Sequence, residues 1–154
     1  MKVAACALLA LLACTATFQS ASAADRRAPE FLNTEPMKKL DLPFSEAVRY
    51  DHVLYLSGMV GIEPGSTKLV AGGIEAETKQ ALENLSATLK RNGATLDDVF
   101  KCTVMLADIA EWSKMNAVYV TYFSKHKPAR SAMGVAGLAL GARVEIECMA
   151  AAGK

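Results

Sequence analysis

The sequence lacks an excess of charge of either sign, since 17 lysines and arginines stand against 16 aspartates and glutamates among its 154 residues. A balanced charge gives no electrostatic footprint for nucleic acid or for an anionic membrane. The chain has only two histidines, no cluster of His, Cys and Asp at metal-ligand spacing and no glycine-rich phosphate loop. We therefore expect no metal, no organic cofactor and no nucleic-acid partner.

The sequence also lacks an apolar run long enough to cross a bilayer. The run from Val3 to Leu12 is too short for a transmembrane helix. A polar tail and small residues follow it, so residues 1–23 have the layout of a secretory signal peptide that is cleaved after Ala23. Leu11-Leu-Ala-Cys also resembles a lipoprotein cleavage box, which would leave a lipid-bearing Cys14 as the alternative. The pattern predicts an exported, periplasmic protein.

Cysteines are few in the mature chain. Cleavage after Ala23 leaves 131 residues (154 minus 23), which suits one domain with one core. Cys102 and Cys148 remain, and an exported location would permit a disulfide between them. Both lie in apolar strand patterns, where a thiol commonly behaves as a small buried hydrophobe. We therefore favour two buried thiols over a disulfide.

Hydrophobic periodicity and turn residues predict one domain after a poorly periodic segment. Residues 24–42 contain proline and charge, and they are interpreted as an N-terminal arm before a domain spanning residues 43–154. The order ββαβαββ predicts an α+β sandwich with two helices on one face of a mixed sheet. The predicted elements are strands Ser45–Tyr50 and Val53–Ile62, helix Ile74–Asn92, strand Val99–Leu106, a helix from Asp108, and two strands within residues 127–149.

Each predicted helix has one apolar face. Gly93 follows the first helix as a C-cap, and Asp108 and Glu111 form a capping-box-like pair at the start of the second. The apolar face of the first helix is Thr78, Leu82, Leu85 and Leu89. The apolar face of the second is Ile109, Trp112, Met115, Tyr119 and Phe123.

The last predicted strand alternates apolar and acidic residues. A period of two puts Glu145 and Glu147 on one face and Val144 and Ile146 on the other. Two carboxylates in mid-strand need water or a cation, because an unpaired buried charge is costly. Arg130, on the preceding strand, is the nearest cation in sequence. It would either neutralise a glutamate or form part of a site for a carboxylate-bearing ligand.

The second face of the sheet is expected to be mixed in character. Thr103 and Met105 should share one face of their strand. A partly polar surface of this kind, bearing Glu145 and Glu147, suits packing against other subunits better than full exposure to water.

Six short segments carry a family resemblance when they are taken in order. They are Leu56-Ser-Gly-Met-Val-Gly, Gln80-Ala-Leu-Glu-Asn-Leu, Lys101-Cys-Thr-Val-Met-Leu-Ala-Asp, Met115-Asn-Ala-Val-Tyr, Pro128-Ala-Arg-Ser and Val144-Glu-Ile-Glu. Each is weakly specific alone. Their order and spacing from about Pro43 to Ala150 resemble the RidA/YjgF family, small proteins that hydrolyse reactive enamines and imines derived from amino acids.

The resemblance implies both an architecture and an activity. The fold would be chorismate-mutase-like, in a homotrimer whose sheets form a central barrel and whose ligand sites lie in the clefts between subunits. The substrate would be a small carboxylate-bearing imine or enamine. Hydrolysis would give a 2-oxo acid and ammonia.

The resemblance also assigns site residues. Arg130 would clamp the substrate carboxylate, because a guanidinium grips two oxygens with a planar pair of donors. Glu145 would face the ligand and orient or deprotonate an attacking water. Ser57 and Gly58 would line the cleft with backbone, or else form a bulge at the strand end. Asn116 would lie near the site, or else bond the neighbouring helix backbone.

Two substrate-binding positions depart from the family pattern. Phe44 stands where many members have an aromatic hydroxyl, and Ala132 stands where many have a cysteine two residues after the arginine. The Arg–Glu pair is retained, while the pocket's preference for substrates is expected to differ.

These observations favour an exported imine and enamine deaminase. Reactive enamines arise from cytosolic cofactor chemistry, so an exported member would meet a different imine or bind its ligand without turnover. A non-catalytic trimer that binds small carboxylates is therefore the alternative. Ribonuclease, an activity attached to the family by name, is a third hypothesis. The balanced charge and the lack of a histidine pair or of interleaved basic and aromatic residues argue against it.

Overall fold

A computed structural model of the protein describes residues 28–153, and the predicted signal peptide with its two alternative cleavage sites lies outside the described residues. The described chain forms a mixed sheet with helices packed on it. The strands are β1 Glu30–Leu32, β2 Ala47–Tyr50, β3 Val53–Leu56, β4 Met59–Val60, β5 Val99–Leu106, β6 Ala129–Gly134 and β7 Val144–Ala151. The helices are α1 Glu35–Lys39, α2 Gly73–Arg91 and α3 Trp112–Tyr122.

The sheet has the order β1-β2-β3-β7-β5-β6, and β4 also pairs with β7. β5 and β6 are parallel, and the other pairings of described strands are antiparallel. A parallel neighbour needs a crossover connection, which α3 provides. The predicted α+β class is confirmed, and so is the ββαβαββ order from residue 45 onward, except that the predicted strand Val53–Ile62 is interrupted between β3 and β4.

Part of the segment predicted as an arm is folded into the domain. Glu30–Leu32 pairs antiparallel with β2 at the edge of the sheet. The backbone N–H of Glu46 donates to Asn33 Oδ1 at 2.8 Å, and the Thr34 side chain caps α1 by accepting from the N–H of Met37. The sheet thus begins before the predicted boundary at Pro43. Three residues of edge strand are too few to show periodicity in the sequence.

α2 supplies the larger part of the helical layer. Its predicted apolar stripe is fully buried, namely Thr78, Leu82, Leu85 and Leu89. The hydroxyl of Thr78 donates to the carbonyl oxygen of Ile74 at 2.6 Å, which satisfies the one polar group in the stripe. Gly93 follows the helix with a φ of 77°, a left-handed conformation that confirms it as the C-cap glycine.

α3 begins later than predicted, at Trp112, after a 3-10 turn over Ile109–Glu111. Asp108 caps that turn, since its Oδ1 accepts from the N–H of Ala110 at 2.9 Å. The capping-box role predicted for Glu111 is wrong. Its carboxylate instead accepts two hydrogen bonds from the Arg143 guanidinium, at 2.6 and 2.9 Å.

The predicted apolar face of α3 is correct only in its C-terminal part. Met115, Tyr119 and Phe123 are buried, whereas Ile109 is 52% and Trp112 39% exposed. Ile109 belongs to the 3-10 turn rather than to the helix, and Trp112 is the first residue of α3. Trp112 therefore lies partly at the surface, at the N-terminal end of α3.

The prediction of which residues of β5 and β7 share a face of the sheet is confirmed. Val144 and Ile146 are fully buried beneath α2, and Glu145 and Glu147 lie on the other face of β7. Thr103 stands opposite Glu147 and Met105 opposite Glu145 in the register of β5 with β7. This second face of the sheet, which we call the open face, bears no helix within the described chain.

Cys102 and Cys148 stand opposite each other on β5 and β7 and form a disulfide, with Cα atoms 4.1 Å apart. Both are buried as predicted, but our preference for two free thiols is wrong. The pairing depends on a strand register that joins residues 46 positions apart, and local patterns carry no information on such a register.

Candidate active site

Arg130 lies on β6 and points to the helix-covered side of the sheet. In the parallel pairing of β5 with β6 it stands opposite Cys102, and Ala132 stands opposite Val104. Because paired residues share a face, Arg130 and Ala132 are on the same side as these two buried core residues. Ala132 packs against the core, so this position offers little side chain to a ligand.

One face of α3 contacts the Arg130 guanidinium. Nη2 donates to Asn116 Oδ1 at 2.8 Å. Cζ lies 4.4 Å from the ring centroid of Tyr119 and 5.8 Å from that of Trp112, both within cation–π range. Asn116, predicted to lie near the site or to bond helix backbone, thus has its contact with the arginine. Among the described residues, no carboxylate forms an ion pair with Arg130.

Tyr119 is neutral beside this cation. Burial raises the pKa of its hydroxyl to about 12, although the Arg130 charge acts in the opposite direction. The hydroxyl oxygen is buried and has no hydrogen-bond partner among the described residues. The ring therefore interacts with Arg130 through its π face rather than through a phenolate charge.

Glu145 lies on the open face, close to the backbone at Gly58. A Cβ built on Gly58 would overlap Glu145 Oε1 and would lie 2.7 Å from Cδ. A side chain at this position would therefore displace the Glu145 carboxylate from its present position, whereas glycine leaves it room. Gly58 lies within an irregularity of the sheet. Five residues from Tyr55 to Met59 oppose four from Met149 to Ile146, which is a β-bulge.

The environment of Glu145 favours its protonated form. Burial raises the pKa of this carboxyl above its ordinary value, and the charge of Glu147, two residues along the same face, raises it further. A carboxyl with a raised pKa is a suitable general base near neutral pH, since it binds a proton more readily than a solvated glutamate.

Arg130 and Glu145 do not converge within one chain. Arg130 shares the face of Cys102, and Glu145 shares the face of Met105, which is an odd number of residues away on the same strand. The two side chains therefore lie on opposite faces of the sheet. One chain therefore does not present both side chains on the same face of its sheet.

Ser57 and Phe44 lie on the same segment of surface. The Ser57 hydroxyl donates to the carbonyl oxygen of Ser45 at 2.6 Å, and its N–H donates to the carbonyl of Glu46. The side chain of Ser57 thus anchors the loop before β2, and Phe44 on that loop is 52% exposed. The exposed ring is available to a ligand or to a second subunit.

Two residues of the Arg130 environment were not predicted as site residues. Trp112 and Tyr119 were assigned to the core face of α3, yet both contact the guanidinium. Their spacing to Asn116, four residues before and three after it, places all three on one helical stripe. A polar residue in the middle of an apolar stripe was the signal available in the sequence.

Within residues 28–153, no helix is long and apolar enough to cross a membrane, and no group of three or more His, Cys, Asp or Glu side chains is placed to hold a metal ion.

Comparison with known proteins gives consistent similarities. The sequence family described as "Endoribonuclease L-PSP" matches residues 38–152. The 2-iminobutanoate/2-iminopropanoate deaminase of Mus musculus is 48% identical over 111 residues, which cover 72% of this chain and 82% of that protein. The Reactive Intermediate Deaminase A, chloroplastic, of Arabidopsis thaliana is 40% identical over 121 residues, 79% of this chain and 65% of that protein.

Solved structures of Rid-family proteins are also similar to this chain. The RidA structure from the Antarctic bacterium Psychrobacter sp. matches with a TM-score of 0.68 at 35% identity, over 71% of this chain and 89% of that chain. The Rid-family protein YyfA of Yersinia pestis matches with a TM-score of 0.75 at 36% identity, over 80% of this chain and 99% of that chain.

Proposed function

Because the chain belongs to the RidA/YjgF family, we propose that it is a deaminase that hydrolyses reactive imines and enamines of amino acids to 2-oxo acids and ammonia. The proposal is supported by relatives that carry the name of this activity. The observation that carries it in this chain is Arg130, whose charge is held by an amide oxygen and two aromatic rings rather than by a carboxylate.

In the proposed reaction Arg130 binds the substrate carboxylate through two parallel N–H donors. Glu145 of the partner subunit accepts a proton from water as the water oxygen bonds to the iminium carbon. Glu145 then returns the proton to the amino group of the tetrahedral adduct. As the carbon–nitrogen bond breaks, ammonia leaves with the bonding pair and the hydroxyl of the adduct gives its proton to the Glu145 carboxylate, so that a 2-oxo acid remains.

The proposed site requires assembly, and we propose a homotrimer. Arg130 and Glu145 lie on opposite faces of the sheet, so one chain cannot present both to one ligand. The open face is a surface of mixed character that no helix of the described chain covers. It bears Tyr55, which is 41% exposed, together with Lys101, Thr103, Glu147 and Met149.

Light scattering on the mature chain is expected to give about three times the mass of one subunit. The physical reason is that assembly would cover the open face of each chain and bring Glu145 of one chain to Arg130 of the next. A stable monomer at micromolar concentration would contradict the assembly, and with it the site between subunits.

The rate is expected to depend on pH through Glu145. The base is active when ionised, so kcat should rise as the pH increases through the raised pKa of this carboxyl. Glu147→Gln removes the second cause of the raised pKa and should move the midpoint of the pH–rate profile to lower pH.

The free energy of unfolding should depend on pH in the opposite direction. A raised folded-state pKa makes the contribution of Glu145 largest at low pH, and that contribution is lost as the pH rises through it.

The pH profile of kcat has a matched control variant. Glu75 is exposed in the first turn of α2, on the helix side of the sheet. Glu75→Gln removes the same charge and should leave the midpoint unchanged. An equal shift in both variants would mean that the midpoint reports net charge and not Glu145.

The test of the proposed function is a direct assay of ammonia release from freshly generated 2-imino acids by the purified mature protein. Release above the spontaneous rate is expected. Binding of 2-oxo acids without any such release would favour the non-catalytic carboxylate binder. Hydrolysis of RNA in place of imine would favour the activity after which the family is described.

We also propose that the protein is exported and that the mature chain begins at Ala24. The layout of residues 1–23 supports this, and so does the Cys102–Cys148 disulfide, because such bonds persist in oxidising compartments. Intact-mass measurement on protein from the native envelope should give the mass of residues 24–154 with one disulfide. A lipid-bearing Cys14 would favour the alternative, and an uncleaved Met1 in the cytosolic fraction would contradict both.

A further inference from the structure

Three residues on one stripe of α3 contact the same guanidinium. Trp112, Asn116 and Tyr119 follow one another at intervals of four and three, which align side chains along a helix. Each contributes a different contact with Arg130, respectively a ring at 5.8 Å, a hydrogen bond at 2.8 Å and a ring at 4.4 Å. The arginine has a side chain with many rotamers, yet its guanidinium is contacted by three side chains of this stripe.

The Tyr119 ring is itself immobilised by the core. It is 5% exposed and belongs to the buried cluster beneath the helices. Its centroid lies 4.7 Å from that of Phe123, a tilted aromatic pair. A fixed ring provides a fixed π face, and a desolvated cation–π contact is stronger than an exposed one.

The stripe runs from the core to the surface. Tyr119 is buried at one end, while Trp112 is 39% exposed at the other. The guanidinium therefore lies where the protein interior meets solvent, the place at which a ligand can reach it. Asn116 occupies Nη2 of Arg130, and the group has further N–H donors in the same plane.

We propose that Tyr119, assisted by Trp112, is a positioning residue that fixes the plane of the Arg130 guanidinium for the substrate carboxylate. This inference rests on the proposed function of Arg130 as the clamp. Bidentate binding requires the guanidinium and the carboxylate to be coplanar. A guanidinium already held in one orientation loses less entropy on binding than a free one.

The experiment compares variants of Tyr119 in binding of 2-oxobutanoate, an unreactive 2-oxo acid, followed by NMR titration of the mature protein. Tyr119→Leu removes the π face and should weaken binding roughly 5- to 30-fold, the range of a partly desolvated cation–π contact. Tyr119→Phe keeps the face and removes only the hydroxyl, so it should bind as the wild type does. In turnover, Tyr119→Leu should raise KM by a similar factor while kcat changes little.

Tyr122→Leu is the matched control. It removes the same ring from the same helix, but at a position whose hydroxyl contacts Glu83 rather than Arg130. A merely structural role for Tyr119 would make Tyr119→Leu less stable without weakening its binding of 2-oxobutanoate relative to Tyr122→Leu. Thermal unfolding of both variants accompanies the titration, so that loss of fold is distinguished from loss of binding.

A double variant tests whether Tyr119 acts through Arg130. In an Arg130→Ala background, Tyr119→Leu should have no further effect on affinity, because the group that it positions is gone. An equal loss in both backgrounds would overturn the inference. So would wild-type affinity in a folded Tyr119→Leu protein, or a wild-type protein that does not bind 2-oxobutanoate.

Trp112→Leu keeps the inference testable if Tyr119→Leu does not fold, since Trp112 is partly exposed. An exposed cation–π contact predicts roughly 2- to 5-fold weaker binding, and unchanged affinity would overturn the inference. Because the titration needs no turnover, a wild type that binds 2-oxobutanoate but releases no ammonia would contradict the proposed deaminase while leaving the positioning role supported.

Discussion

Arg130→Ala is expected to lower kcat/KM for imine hydrolysis by roughly 30- to 1000-fold. The substitution removes a charge-assisted, bidentate clamp, which is worth about 2–4 kcal/mol in transition-state binding. Arg130→Lys should recover little of this loss, because an ammonium group cannot present two coplanar donors or stack on the Tyr119 ring in the same way. Steady-state ammonia release with both variants measures the effect.

Arg49→Ala provides the control for the loss of a cation. Arg49 lies on β2, and it donates to the carbonyl oxygen of Asn92 at 2.8 Å and lies 3.7 Å from a carboxylate oxygen of Glu30. It has no contact with the α3 stripe among the interactions described above, so kcat/KM should stay near the wild-type value. Wild-type ammonia release by a folded, trimeric Arg130→Ala protein would rule out the proposed site.

Glu145→Gln is expected to lower kcat by about 100- to 10,000-fold, the usual contribution of a general base. The amide retains the size of the side chain and most of its hydrogen bonding but cannot accept the proton of water. Binding of 2-oxobutanoate, which needs no base, should persist. A non-catalytic binder predicts a different pattern, with no turnover in the wild type and little effect of this substitution.

Gly58→Ala tests the same carboxylate without changing it. The added Cβ would overlap Glu145 Oε1, so the carboxylate must move away from its present position and kcat should fall. Gly137→Ala is the matched control, because a Cβ at Gly137 meets no atom within 4 Å. If Gly58→Ala left kcat unchanged while Glu145→Gln abolished it, the present position of the carboxylate would not be the catalytic one.

The sequence predicted well what depends on local periodicity. The alternation of β7 placed Glu145 and Glu147 on one face, and the stripe of α2 was correct in every residue, because both follow from the geometry of one element. The bulge at Gly58 was one of two readings of a single glycine. The structure adds that the Glu145 carboxylate occupies the place that a Cβ on Gly58 would take.

Features that depend on pairing between distant strands were not predictable in the same way. The face of Arg130 is set by the register of β6 on β5, and β6 has no apolar and polar alternation from which the face could be inferred. The sequence therefore paired Arg130 with Glu145 as neighbours, whereas the sheet separates them. The disulfide and the ion pair between Glu111 and Arg143, 32 residues apart, are likewise products of the tertiary fold.

The disulfide makes residues 102–148 a covalent macrocycle. Every residue described here as touching the guanidinium lies inside the ring, and so do Arg130 and Glu145. Closing a loop of 46 residues restricts the unfolded chain and contributes about 4 kcal/mol in the chain-entropy model. A single proteolytic cut between the two cysteines would therefore leave both fragments joined, and the segment that carries the proposed site residues would remain part of one molecule until the disulfide was reduced.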